Sequence, residues 1–380
     1  MSTEHRPVSE EEVAAVVGVA AARREGLAIR GGGTREAAVA GVPLDVSGVT
    51  GITLYEPGAL TLVVRAGTPL AEVETALAAE GQLLPFEPWD ARPLTGSNGG
   101  PTVGGMVAVN ASGPRRIQAG ACRDSLIGVR FVDGTGAVVK NGGRVMKNVT
   151  GLDLVKLMSG SHGTLGVLTE LAFRVLPRPE ATATLVLDGL DAATAGRALT
   201  AAMSTPYQVT AAAHLPGLEA RTLLRLEGFE GSVAHRVRAL THALGAFGHM
   251  RVEVGADPWA GIRDATAFAG RAGAVWRVSV RPTDGPALGA QLEPAEVIYD
   301  WAGGLLWVLA PEELDVRKAM AGVAGHATLV RASPEAKARW GVFHPEPPAV
   351  AALSAGLRVR FDPAGILNPG RMGATERVVV

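Results

Sequence analysis

The chain has 380 residues, with 36 Lys+Arg against 37 Asp+Glu and a net charge of −1, so there is no electrostatic case for nucleic acid or another polyanion as a partner. Hydrophobic residues make up 47% and mean hydropathy is +0.20, carried by Ala, Val and Gly, yet no apolar run reaches the ~18 residues that span a bilayer. A single cysteine, Cys122, excludes an internal disulfide and a cysteine metal cage. The opening segment lacks a cationic n-region and an apolar h-region, so no signal peptide and a reducing, cytoplasmic setting are expected.

Ser9 and Glu12 have capping-box spacing, with Glu10 and Glu11 in the first turn. Val13, Val16, Val17 and Ala20 then recur at helical spacing, and Arg23, Arg24 and Gly26 mark the end of a helix, with Gly26 past it. Strands are expected at 27–30, 44–47, 52–55 and 61–65, with Pro57-Gly58 turning between the last two. Thr68-Pro69 starts a second helix with Pro at its first position, and Gly81 ends it. The stretch 88–113 is rich in Gly, Pro, Ser and Asn and reads as loop, with one short helix around 105–111. Strands resume at 126–132 and 137–140 around Asp133-Gly134-Thr135-Gly136, a hairpin signal, and again at 167–176. Pro177-Arg178-Pro179 marks a boundary between a first domain, 1–178, and a second, 180–335.

The second domain starts with a strand at 182–187, a helix at 192–203, strands at 209–214 and 222–226, and a helix at 233–244. This β-α-β-β-α order is of the ferredoxin-like or split kind. Further strands are expected at 275–280, 296–299, 305–309 and 327–330, and the tail 361–371 has the Gly/Pro chemistry of a loop. No sequence repeat and no low-complexity block is evident.

Three Gly-rich stretches stand in the first half: Gly31-Gly32-Gly33, then 96–113, then 160–166. Glycine lets backbone N–H groups turn toward an anion and lets the chain approach it closely, so these loops point to one large phosphate-bearing ligand, with a pyrophosphate as its anchor. G-x-G-x-x-G is absent from the first loop, and the P-loop and H-E-x-x-H motifs are absent throughout. Gly160 directly before Ser161 spoils a G-x-S-x-G elbow. The eight histidines are scattered without metal-ligand spacing, so no metal is expected.

Four segments, in order, resemble the flavoproteins related to vanillyl-alcohol oxidase and p-cresol methylhydroxylase. Ile29-Arg-Gly-Gly-Gly-Thr34 resembles their first pyrophosphate loop, and Thr102-Val-Gly-Gly-Met-Val-Ala-Val-Asn-Ala-Ser-Gly113 their second flavin segment. Lys147-Asn-Val-Thr-Gly-Leu-Asp153 with Gly160-Ser-His-Gly-Thr-Leu-Gly-Val167 resembles the third, and 361–371 the segment that returns beside the isoalloxazine ring. Within this family, Gly113-Pro-Arg-Arg116, Arg144-Val-Met-Lys-Asn148 and Asp300-Trp-Ala-Gly-Gly304 resemble the FAD-binding subunits of bacterial glycolate oxidases (glycolate dehydrogenases).

The resemblance implies an α+β fold: a two-lobed FAD-binding domain, a smaller antiparallel-sheet-with-helices substrate-side (cap) domain, and a segment 336–380 returning to the flavin. It implies FAD held by Arg30, Gly31, Gly32, Gly33, Thr34, Pro88, Thr102, Gly104, Gly105, Met106, Ser112, Gly163, Gly166, Val167 and Asn368. The FAD is expected to be non-covalent, because Thr34 stands where covalent relatives often carry His. The amides of 31–34 and 104–105 are expected to donate to the pyrophosphate, helped by a helix start near Gly105. The resemblance also implies a complex with a larger flavoprotein subunit and an iron–sulfur subunit. That complex would oxidise glycolate, a small 2-hydroxy acid, to glyoxylate and pass electrons to the iron–sulfur partner. The setting would be cytoplasmic, or peripheral at the inner membrane through the complex. A stand-alone flavin oxidase or dehydrogenase of another alcohol or hydroxy acid, and a non-catalytic scaffold, remain as alternatives.

No residue is assigned to catalysis. Related hydroxy-acid dehydrogenases often carry a His-Gly-His-x-Gly-Asp-Gly-Asn-like segment, and Gly325-His326-Ala327 does not match it, so the partner flavoprotein subunit would do the hydroxy-acid chemistry. His162 reads as a tolerated loop residue, His326 and His344 as surface or capping residues, and Cys122 as inert core. Trp276, Trp301 and Trp307 read as core, with Trp301, near two glycines, able to reach a pocket or partner. Arg225 and Arg277 read as exposed strand-edge ion pairs, with carboxylate binding as the alternative. Lys147 reads as ordering its loop.

Overall fold

The computed structural model describes residues 4–35, 39–143, 152–253 and 257–373. Helix α1 (Glu10–Arg23) starts as expected, with the Ser9 hydroxyl accepting the Glu12 N–H at 3.2 Å. The Glu12 carboxylate accepts from the Val8 N–H (2.8 Å), so the box closes one residue further out than Ser9. The helix ends at Arg23, and the residue past it is Arg24 and not Gly26. Arg24 takes the left-handed conformation (φ 52°) and returns its N–H to the Ala20 and Ala21 carbonyls. Val13, Val17 and Ala20 pack against β1 (Leu27–Arg30) and β2 (Val42–Asp45), a parallel pair. Strand β2 stops short of residue 47 because Asp45 caps the following turn, accepting the Ser47 N–H at 3.0 Å.

A five-stranded antiparallel sheet follows. It comprises β3 (Ile52–Glu56), β4 (Thr61–Arg65), β5 (Leu126–Val132), β6 (Val138–Gly142) and β7 (Val167–Arg174), in the order β3-β4-β7-β5-β6. The Asp133 carboxylate closes the β5–β6 hairpin by accepting the Thr135 and Ala137 N–H groups. Helix α2 (Leu70–Ala79) starts one residue later than expected. Pro69 is extended (ψ 134°), and the Leu70 N–H donates to Pro101 O at 2.8 Å, so a distant loop supplies the cap. Helix α3 (Val103–Ala108) lies ahead of the expected 105–111, because the Thr102 hydroxyl caps it by accepting the Gly105 N–H.

The second sheet is a duplication that the sequence does not display. β8 (Ala181–Asp188), α4 (Ala192–Met203), β9 (Ala211–Leu215), β10 (Arg221–Gly228), α5 (Glu230–Ala243) and β11 (Met250–Val252) form one βαββαβ unit, ordered β11-β8-β10-β9. β12 (Ala274–Val280), α6 (Gly285–Gln291), β13 (Glu296–Asp300), β14 (Leu305–Ala310) and β15 (Gly325–Arg331) repeat that order as β13-β14-β12-β15. The units join through β9 and β13, where His214 faces Tyr299, giving eight antiparallel strands. Side chains alternate across the sheet. Leu224, Trp276 and Val308 face helices α4–α6, whereas Leu223, Val275 and Trp307 share one core with Phe86, Trp89, Leu94 and Phe173 of the first lobe.

Two further helices, α7 (Pro334–Trp340) and α8 (Pro348–Phe361), precede the tail. α8 buries none of its residues and leaves Val350, Leu353 and Leu357 exposed at helical spacing, so it shows no core-facing pattern. The tail then returns to β1, where Leu367 bridges Leu27 in parallel. Among the described residues, no helix is long and apolar enough to cross a membrane.

Candidate cofactor site

Strand β1 leads into a cavity of about 450 Å³ lined by 28–35, Thr102, Gly104, Gly105, 162–163 and 166, with Asn368 and Arg371 from the tail. The loops interlock backbone on backbone. A Cβ at Gly32 would lie 1.5 Å from Gly100 O, and one at Gly99 would lie 1.8 Å from Gly32 O. Asn368, in the left-handed conformation (φ 45°), ties three of the stretches together. Its Oδ1 accepts the Ile29 N–H (2.7 Å), its Nδ2 donates to His162 O (2.9 Å), and its own N–H donates to Leu27 O (3.0 Å).

Arg30, Gly31, Gly32, Gly33, Thr34, Thr102, Gly104, Gly105, Gly163, Gly166 and Asn368 line this cavity; Pro88, Met106, Ser112 and Val167 do not. Met106 turns into the core because α3 offers the cavity Gly105, Ala108 and Val109, three and four residues apart, and residue 106 points away. That spacing could have identified Ala108 and Val109 in advance. Val167 begins β7 between Gly166 and Leu168, which face the cavity, so alternation sends it inward. The Ser112 hydroxyl accepts the Cys122 N–H (3.0 Å), and Pro88 is buried elsewhere.

The amide donors divide unevenly. Among the described residues, the N–H groups of 31–34 donate to no acceptor. Those of Gly104 and Gly105 are already engaged, with Ala66 O (2.7 Å) and the Thr102 hydroxyl (3.2 Å). The second loop therefore shapes the cavity with its bare Cα atoms, and its helix start is capped and not open to an anion. Cations stand in the cavity as well as amides. Arg35 and Arg371 line the cavity, each with a buried Nε that has no hydrogen-bond partner. Arg30 turns outward to Glu4 and Asp45, so it offers the cavity its backbone.

His162 is a lining residue and no mere tolerated loop position. It has φ 53°, its ring meets Phe343 edge-on at 4.7 Å, and its buried Nδ1 has no partner. Burial, then the charges of Arg371 and Arg35, push its pKa down to about 3, so the imidazole is neutral. Free amides, unpaired cationic nitrogens and a cradle that any Cβ would fill suit an anionic dinucleotide, and these residues fit FAD. Bound there, FAD supplies a two-electron acceptor, and the chain's residues hold and orient it.

The substrate-side sheet turns a polar cluster toward this lobe. Arg225 is not an exposed edge residue: it is 4% exposed on central strand β10 and grips Glu87 through both terminal nitrogens (2.9 and 2.8 Å). Arg115 holds Glu227 at 2.5 Å, completing a network of two arginines and two glutamates. Arg277 lies on interior strand β12 and also departs from the expected edge position. Trp301, Ala302 and Gly303 all have positive φ (51°, 57° and 99°), a turn that aims the Trp301 indole N–H at Gly113 O (2.9 Å). The motifs 113–116 and 300–304 therefore meet in space. His344 Nδ1 accepts the Ala327 N–H, and Cys122 is buried in the core. The segment 144–151, with Lys147, lies outside the described residues. Among the described residues, no three His, Cys, Asp or Glu side chains gather to hold a metal.

Residues 4–142 match a family model described as an FAD binding domain. Glycolate oxidase subunit GlcE of Escherichia coli (strain K12) is 36% identical over 338 residues, covering 88% of each chain. Glycolate oxidase subunit GlcD of Bacillus subtilis (strain 168) is 33% identical over 136 residues, 35% of this chain and 27% of that one. Among solved structures, p-cresol methylhydroxylase with substrate bound has a TM-score of 0.70 at 13% identity, covering 97% of this chain and 88% of that one. Alkyldihydroxyacetonephosphate synthase has a TM-score of 0.67 at 18% identity, covering 96% and 75%. These two likenesses establish the fold. With more than a third of the aligned residues identical over 88% of both chains, the chain belongs to the family of FAD-binding oxidoreductases that includes GlcE.

Proposed function

We propose that the chain is the FAD-binding subunit of a glycolate oxidase complex that oxidises glycolate to glyoxylate and passes the electrons to an iron–sulfur partner. The observation that carries this reading is the likeness to GlcE over 88% of both chains, which extends through the substrate-side sheet as well as the flavin lobe. Glycolate loses a hydride from carbon and a proton from its hydroxyl, and the flavin is the hydride acceptor. The flavin is held non-covalently by the eleven expected residues that line the cavity. We assign 1–178 to FAD binding, 180–335 to the substrate side, and 336–380 to the segment that returns to the flavin. The exposed apolar stripe of α8 supports docking to a larger flavoprotein subunit, which carries the hydroxy-acid base.

The test is the absorbance spectrum of the purified chain before and after anaerobic glycolate, alone and with its complex. A yellow chain whose FAD is released by acid, co-purifying with an iron–sulfur protein and bleached by glycolate only in the complex, is expected. Colourless protein from flavin-replete cells would overturn the reading. Bleaching of the isolated chain by a different alcohol would replace it with the stand-alone one.

A further inference from the structure

Two arginines on the sheet face turned to the flavin lobe are in opposite circumstances. Arg225 is matched by Glu87 and Glu227, and Arg115 completes the balance. Arg277 has no carboxylate within 4 Å among the described residues, and its Nε and Nη2 are shut off from water with no hydrogen-bond partner. Asp300 is in its neighbourhood but fully buried. One Asp300 oxygen accepts the Trp301 N–H (2.7 Å) and the other is unbonded. A guanidinium left this way is unfavourable unless an anion completes it.

Aromatic stacking holds Arg277 in place. Its guanidinium lies over Trp301 (4.8 Å) and Trp307 (5.7 Å). Trp301 also carries Arg116 (4.5 Å); Trp307 meets Trp89 edge-on (5.3 Å), and Trp89 carries Arg35 (4.8 Å), which lines the flavin cavity. A row of guanidinium and indole groups thus runs from the substrate-side sheet to the flavin cavity. None of the three arginines has an ion-pair partner among the described residues. Burial weakens the hold of Arg277 on its proton; the charges of Arg116 and Arg35 act in the same direction and Asp300 against them. Stacking fixes the guanidinium plane and leaves its edge free, and Nε with Nη2 is the edge that grips a carboxylate through two parallel bonds. Arg277 as a residue is half-buried while its Nε–Nη2 edge is itself covered, so a carboxylate reaches that edge only as its cover moves aside.

We propose that the Nε–Nη2 edge of Arg277, flanked by Arg116 and Arg35, is the docking point for the carboxylate of the 2-hydroxy acid. The identity of the acid rests on the proposed function; the site itself requires only a small carboxylate. The stacked row then places that carboxylate two indoles, Trp307 and Trp89 in contact, away from the flavin cavity. The meeting of 113–116 with 300–304 has a purpose in this arrangement: it presents Arg116 and Arg277 on the Trp301 indole.

The test titrates the flavin-loaded full chain with oxalate and acetate, which it cannot oxidise, and with ethylene glycol as the neutral control. Tryptophan fluorescence and thermal melting are the readouts. Oxalate is expected to change the fluorescence and raise the melting temperature, and ethylene glycol to do neither. Arg277→Gln is expected to weaken oxalate binding by about 10- to 100-fold at unchanged flavin stoichiometry. Arg277→Lys keeps the charge without the fork and falls between, and Arg116→Gln weakens binding several-fold. If Arg277→Gln does not fold with flavin, Arg116→Gln decides by the same readouts. Carboxylate affinity unchanged in the variants, or no carboxylate binding to the wild type, overturns the proposal. Glycolate turnover by a complex carrying Arg277→Gln at wild-type KM removes the site and leaves the function standing. Oxalate binding through Arg277 in a complex inert to glycolate does the reverse.

Discussion

Replacing Gly32 by Ala tests whether the first loop holds the flavin through its backbone. The new Cβ would lie 1.5 Å from Gly100 O and 2.7 Å from Gly100 C. Van der Waals contact needs more than 3 Å, and the obstructing atoms are backbone with no rotamer to turn aside. The two loops must separate by roughly 2 Å, which costs about 1–3 kcal/mol as overpacking. The larger effect falls on the ligand. The amides of 31–34 move with the loop, and each charge-assisted hydrogen bond lost is worth about 1.5–3 kcal/mol. Losing two weakens FAD binding by roughly 10²- to 10⁴-fold at about 1.4 kcal/mol per decade. Flavin retained after desalting, read from the ratio of absorbance at the flavin and protein maxima, should drop from saturation to a small fraction, while far-UV circular dichroism stays unchanged. Gly100→Ala is the control, because its Cβ enters open space and its φ is not left-handed. Its flavin content should match the wild type. A Gly32→Ala protein that keeps full flavin and wild-type FAD affinity would refute the reasoning.

Three further outcomes follow from buried groups. Glu87→Gln removes the carboxylate that Arg225, 4% exposed, grips through both terminal nitrogens, leaving only Glu227 at 3.6 Å, and should cost about 3–5 kcal/mol in urea unfolding; a loss under 1 kcal/mol would show that the network is not what secures 84–115 to β10. Asp300 has its pKa raised to about 7 by burial, against 3.8 for the free side chain. Between those values the native state keeps a proton that the unfolded state releases, so this group's contribution falls as pH rises through the window, by at most about 4 kcal/mol. Asp300→Asn retains an acceptor for the Trp301 N–H and cannot ionise. Its unfolding free energy should gain on the wild type between pH 5 and pH 8, and parallel pH profiles would contradict this. Burial pushes the Cys122 thiol up. It should not react with Ellman's reagent at pH 8 in the native protein and should give one equivalent in denaturant. A prompt native reaction would place it at the surface.

Local chemistry carried much of the fold. A hydroxyl at Ser9, an aspartate at Asp133 ahead of two glycines, and alternation through 126–132 act within a few residues, so α1, the β5–β6 hairpin and β5 appear where the sequence puts them. The glycine triplet was legible for the same reason, since a bare Cα is a property of the residue alone. The path of the chain between elements was less legible. Helix α8 lacks a burial pattern to read, and the duplicated βαββ order lies in strand pairing and not in residue identity.

Long-range pairing decided the rest. Arg225 and Arg277 both sit in apolar strand sequence, and Glu227 two residues on is the one nearby acidic residue that sets Arg225 apart. One meets Glu87, 138 positions away, and the other meets only indoles. Gly104 and Gly105 look like free donors until Ala66 and Thr102 are seen to occupy them. His162 looks like filler until the tail brings Arg371 beside it. The sequence by itself determined which segments bend, extend or coil, because those preferences are settled by each residue and its near neighbours. Only the tertiary structure decided which polar groups are satisfied and which remain open to a ligand, because a hydrogen bond or ion pair belongs to two residues that the chain can bring together from any distance.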